Sequence, residues 1–86
     1  MKVDIYKANH HRFKFLTVKA GAELGESLGV TDPHFRTVSI VKQGVELDDS
    51  QFVKDVITAT NDINSTGFHI YELNIKVDVK IESPTR

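Results

Sequence analysis

The chain of 86 residues contains no cysteine and has only two prolines. Without cysteine the protein has no disulfide framework, no zinc–thiolate site and no thiol nucleophile, which fits a reducing compartment. No apolar run approaches the roughly 18 residues that a membrane span needs, and the opening residues MKVDIYK alternate instead of forming an apolar signal core. We therefore expect a cytoplasmic protein that makes no membrane contact.

The sequence also lacks the motifs that mark common catalytic and cofactor sites. No serine stands in a nucleophile-elbow context, and no Lys-Ser or Lys-Thr of a phosphate loop follows Gly21, Gly25 or Gly29. The acidic pair Asp48 and Asp49 is explained by helix capping rather than by acid–base chemistry. We therefore expect no enzymatic activity and no cofactor.

Basic residues are scarce outside the N-terminal part of the chain. Residues 1–19 carry five Lys or Arg and a single Asp, whereas residues 20–72 carry three basic and nine acidic side chains. The formal net charge is only −1. A dedicated polyanion-binding protein is therefore not favoured, although the first hairpin is basic.

Alternation of apolar and polar residues predicts four strands. The longest unbroken alternation lies at Leu73, Ile75, Val77, Val79 and Ile81. An apolar phase change between residues 68 and 73 predicts a β-bulge or a bend near residues 70–72. The predicted strands span residues 2–7, 13–19, 35–43 and 67–81, and residues 8–12 suit a hairpin loop.

One helix is predicted between the third and fourth strands. Asp48 can act as N-cap, with Gln51 in the capping-box position, and Gly67 ends the helix. Apolar or weakly polar residues follow at helical spacing, at Phe52, Val53, Val56, Ile57, Thr60 and Ile63. Residues 20–34 are compatible with either a short helix or an ordered loop.

The order of these elements predicts an α+β fold: a four-stranded mixed β-sheet (β-β-short α-β-α-β) with one main helix packed on one face. A right-handed crossover through the helix would place the third and fourth strands parallel to each other. We expect residues 1–82 to form a single small domain and residues 83–86 to form a mobile tail.

The opening MKVDIYK, the strand FKFLTVK and the late sequence GFHIY resemble a small uncharacterised proteobacterial protein family that opens with a similar hairpin. More distantly, they are similar to the YcgL domain. The resemblance covers the layout of most of the chain and matches residues 20–47 least. It implies no activity, ligand or site residue.

The hairpin offers a possible anion-binding site at His10, His11, Arg12 and Lys14. Basic residues interleave with aromatic ones there, a combination that can neutralise phosphates and stack bases. Packing of the two hairpin phenylalanines in the core competes with that interpretation. Adjacent histidines in a loop seldom converge on one ion, so we predict no metal site.

The favoured function is a small protein-interaction or regulatory domain without catalytic activity that self-associates as a homodimer. Its basis is the length of the last predicted strand: fifteen residues would reach about 50 Å, whereas a domain of this size is about 30 Å across. The residues expected to pair with the same segment of a second chain, antiparallel about a two-fold axis, are Ile75, Val77, Val79 and Ile81. The alternative function is a nucleic-acid or anion-binding module that uses the basic hairpin.

Overall fold

A computed structural model describes residues 1–11, 13–25, 28–49, 53 and 55–73. Four strands, one α-helix and two 3-10 turns follow in the order β1 (Lys2–Ala8), β2 (Lys14–Lys19), a 3-10 turn (Pro33–Phe35), β3 (Val38–Glu46), a second 3-10 turn (Leu47–Asp49), α1 (Val56–Thr66) and β4 (Phe68–Glu72). The strands form one sheet and α1 packs against it. The predicted α+β class is confirmed.

The sheet is antiparallel throughout and its strand order is β3-β1-β2-β4. The prediction of a mixed sheet, with the third and fourth strands parallel, is therefore wrong. The hairpin of β1 and β2 forms the centre; β3 takes the free side of β1 and β4 takes the free side of β2. Because β3 and β4 lie at opposite edges, α1 connects the two edges instead of closing a crossover between neighbouring strands.

The main core lies between α1 and one face of the sheet. Its buried members are Val3, Ile5, Phe15, Leu47, Val53, Ala59 and Ile63. The other face presents Leu16 and Val18, which are also buried. Strand β2 is therefore interior and covered on both faces, as its apolar residues of both parities predicted.

The helix begins later than the sequence predicted. Asp55 is the N-cap and its Oδ1 accepts a hydrogen bond from the Thr58 amide at 2.6 Å, while Asp48 belongs to the second 3-10 turn. The N-cap is therefore Asp55 and not the predicted Asp48. Gly67 ends the helix in the left-handed conformation, with φ at 94°, as predicted. Within the described ranges, no helix has the length and apolar character needed to cross a bilayer.

The irregular pairing lies between β1 and β3 rather than in β4. Strand β4 pairs with β2 in continuous register from Phe68 to Glu72, so the predicted bulge near residues 70–72 is absent from this pairing. The register of β1 with β3 instead shifts on both sides of Ile5. The phase change in β4 has another cause: Tyr71 packs towards the helix, whereas Ile70 pairs with Leu16 on the other face of the sheet.

Candidate functional site

Five polar side chains meet where β2 begins and β4 ends, and we call them the hairpin-end cluster: His11, Lys14, Asp32, His34 and Glu72. The Lys14 ammonium forms a salt bridge with the Asp32 carboxylate, and its Nζ lies 3.0 Å from His34 Nδ1. The rings of His11 and His34 are 4.5 Å apart, and His11 Nε2 lies 3.4 Å from Glu72 Oε2. The cluster therefore ties the first hairpin to the 32–34 turn and to the end of β4.

Asp32 organises the turn that contributes to this cluster. Its Oδ1 accepts the His34 amide at 2.9 Å, and its main-chain carbonyl accepts the Phe35 amide at 3.1 Å. The hydrogen bond from Lys14, and then that from the His34 amide, hold the pKa of the Asp32 carboxyl below its usual range. Asp32 therefore keeps its negative charge and balances the Lys14 ammonium.

The residues predicted to bind anions have different environments. His10 is exposed at the hairpin turn, whereas His11 is half-buried against His34. The Lys14 side chain is only 12% exposed and pairs with Asp32. Arg12 lies outside the described residues. The structure thus brings His11 and Lys14 together. Each of them lies beside a carboxylate, Glu72 for His11 and Asp32 for Lys14.

Three members of the hairpin-end cluster were not identified from the sequence: Asp32, His34 and Glu72. The Asp-Pro step at residues 32 and 33 predicts a turn, but nothing in the local pattern indicates that this turn faces β2. Across the described part of the chain, no group of three or more His, Asp or Glu side chains is arranged to hold a metal ion.

A second candidate site is the outer edge of β3, the longest strand among the described residues. The Asn9 amide donates to the Thr37 carbonyl at 3.0 Å, so these two residues form a hydrogen-bonded pair. Hydrogen-bonded and non-hydrogen-bonded pairs alternate along an antiparallel ladder. The main-chain groups of Ser39 therefore point towards β1, whereas those of Val38 and Ile40 point outward.

Most side chains of β3 are exposed to solvent. Six of its nine residues are exposed, and the Ile40 side chain is 50% exposed. Among the described residues, no strand pairs with the outer side of β3. An unpaired strand edge of this length is a template for pairing with another extended segment.

The residues predicted to mediate self-association, Ile75, Val77, Val79 and Ile81, lie outside the described residues. The predicted tail at 83–86 and the capping-box residue Gln51 do so as well.

Comparison with known proteins gives no match for this chain among family models, curated proteins or solved structures. The similarity of its hairpin sequence to the YcgL domain stays a prediction. The open β3 edge and the hairpin-end cluster are therefore interpreted from their own geometry.

Proposed function

We propose that the protein is a small interaction domain without catalytic activity that self-associates by strand pairing at the edge of its sheet. The observation that carries the proposal is the nine-residue edge strand β3 with its outward main-chain groups. The proposed occupant of this edge is the segment 74–81 of a second copy of the chain.

The sequence of this segment suits the role. Ile75, Val77 and Val79 alternate with polar residues directly after β4. Such a segment can add a strand to an exposed sheet edge, where main-chain hydrogen bonds provide affinity and one row of side chains provides specificity. Reciprocal exchange between two copies would produce a closed two-fold dimer.

The geometry of the sheet favours exchange between two chains. Strand β4 lies at the edge opposite β3, three strand spacings away, which corresponds to about 14 Å. A segment that leaves β4 therefore begins on the far side of its own sheet. To reach the β3 edge of a second copy, the segment does not have to cross its own sheet.

Light scattering of three chains tests the proposal: the unmodified protein, Val77→Pro and Ile40→Pro. Proline at 77 removes an amide donor from the proposed incoming strand. Proline at 40 removes an amide that points away from β1, so the sheet itself should persist. We expect the unmodified protein to be a dimer and both variants to be folded monomers.

Ser39→Pro is the matched control, because the amide of Ser39 points towards β1 and its loss should unfold the edge of the sheet. A dimer that only Val77→Pro disrupts would mean that two 74–81 segments pair with each other, without the β3 edge. An unmodified protein that stays monomeric at high micromolar concentration would contradict self-association altogether.

Anion or nucleic-acid binding by the hairpin is the alternative proposal. The pairing of Lys14 with Asp32 lowers the net charge available to a phosphate at this position. Binding of RNA or DNA at about 50 mM salt, lost when Arg12 and Lys14 are both changed to Glu, would favour the alternative.

A further inference from the structure

The sheet face opposite α1 carries a cleft of about 810 Å³. It lies between Leu16 of β2 and the segment 24–38, excluding the undescribed residues 26 and 27. Its volume falls within the range of small-molecule sites, which is about 300–1,000 Å³. The cleft is separate from the outer edge of β3 and from the core under α1.

One part of the lining of the cleft is apolar. Leu24, Leu28, Val30 and Phe35 contribute side chains, and Leu24 is 37% exposed although it is a large apolar residue. Leu28 Cδ1 lies 3.4 Å from the position that a Cβ atom would take at Gly67. The apolar lining therefore reaches the start of β4.

Two of the polar lining residues, Asn9 and Thr37, lie at the junction of β1 and β3. Asn9 and Thr37 are adjacent there, since the Asn9 amide donates to the Thr37 carbonyl. Ser39 Oγ donates to Asn9 Oδ1 at 2.6 Å, so the amide nitrogen of that side chain can donate elsewhere. From this junction to Gly67, the sheet face opposite α1 extends over about five residues along the strands, or roughly 17 Å.

Among the described residues that line the cleft, Asp32 and Arg36 are charged. Asp32 pairs with Lys14, whereas Arg36 forms no ion pair with any described residue. The position of Arg36 is fixed by the 3-10 turn, because its amide donates to the Pro33 carbonyl at 3.2 Å. Arg36, Asn9 and Thr37 thus supply a cation and hydrogen-bond donors beside the apolar part of the cleft.

We infer that this cleft binds a free aliphatic carboxylate, with the carboxylate at Arg36 and the chain along Leu24 and Leu28. A guanidinium forms charge-assisted hydrogen bonds with a carboxylate. Burial of an alkyl chain against leucine side chains supplies the remaining affinity. An aliphatic ammonium would meet the same apolar lining but would be repelled by Arg36.

The experiment titrates isotope-labelled protein with decanoate, octanoate and decylamine and follows amide chemical shifts. Decanoate should shift the amides of residues 9, 24, 28–32 and 34–38. Octanoate should bind about fifteenfold more weakly, because it lacks two methylenes and each buried methylene contributes about fourfold in affinity. Decylamine should bind at least tenfold more weakly than decanoate.

Arg36→Gln keeps donor groups but removes the charge, and it should weaken decanoate about fivefold or more. Lys42→Gln is the matched control, since Lys42 is exposed on β3 and does not line the cleft; it should leave decanoate binding unchanged. Equal affinity for decanoate and decylamine, equal effects of the two variants, or shifts elsewhere on the protein would each overturn the assignment.

Discussion

Asp4 shows how one buried carboxylate can fix the two neighbours of a central strand. It is 3% exposed, and its two oxygens accept the amides of Gly21 at 2.9 Å and Gly44 at 2.8 Å. Gly44 belongs to β3, with φ at 65°, and Gly21 follows β2. One side chain of β1 thus binds main-chain groups on both sides of the strand.

Asp4→Asn should therefore destabilise the fold by about 2–4 kcal/mol, because an amide side chain cannot accept both hydrogen bonds and each bond to a charged group contributes about 1.5–3 kcal/mol. Urea denaturation measures this change in the free energy of unfolding. Asp48→Asn is the control: Asp48 is exposed, and its change should stay within about 0.5 kcal/mol. Equal effects of the two substitutions would show that the Asp4 contacts do not stabilise the sheet.

At the scale of the elements, α1 shows which side of an amphipathic pattern faces the sheet. Ala59 and Ile63 are buried, whereas Ile57 is 75% exposed. The sequence placed Ile57 in the apolar stripe because it continued the spacing from an earlier helix start. Once the helix begins at Val56, the buried face is set by Ala59 and Ile63.

Ile63→Ala should cost about 2–4 kcal/mol, since it removes buried methyl and methylene groups and leaves a cavity. Ile57→Ala should change the free energy of unfolding by no more than about 0.5 kcal/mol. The two substitutions are chemically identical and lie on the same helix, so thermal or urea unfolding compares burial alone. A larger cost at Ile57 than at Ile63 would contradict the orientation of α1.

The first hairpin and the end of the helix could be predicted from the sequence because their signals are local. Alternation in residues 2–7 and 13–19 marks β1 and β2, and Gly67 supplies the left-handed conformation that ends α1. The predicted helix start at Asp48 was wrong, because Asp55 is an equally suitable N-cap and is the one that the helix uses.

Strand order was harder to predict than strand position. Alternation identifies β3 and β4 but does not say which edge each one joins, so a crossover and the observed opposite edges fit the same pattern. The hairpin-end cluster depends on that arrangement, because Lys14 meets Asp32 only through the path of residues 20–37. Side chains brought together across such distances leave no periodic signal in the sequence.

At the scale of the whole molecule, the sheet has a well-covered centre and an open margin. Strands β1 and β2 contribute fully buried Val3, Ile5 and Val18, whereas β3 is exposed at most of its positions. Stability is thus concentrated in the first hairpin, and no described residue pairs with the outer edge of β3. This exposed edge is the one at which self-association is proposed.

Amide hydrogen exchange at low and high protein concentration tests this division most directly. The amide of Ser39 points towards β1 and should be protected at both concentrations, whereas the outward amides of Val38 and Ile40 should exchange rapidly in the monomer. Pairing of a second chain along β3 predicts that the Val38 and Ile40 amides become protected as concentration rises. Rapid exchange of both amides at a concentration where the protein is dimeric would contradict the proposed use of this edge.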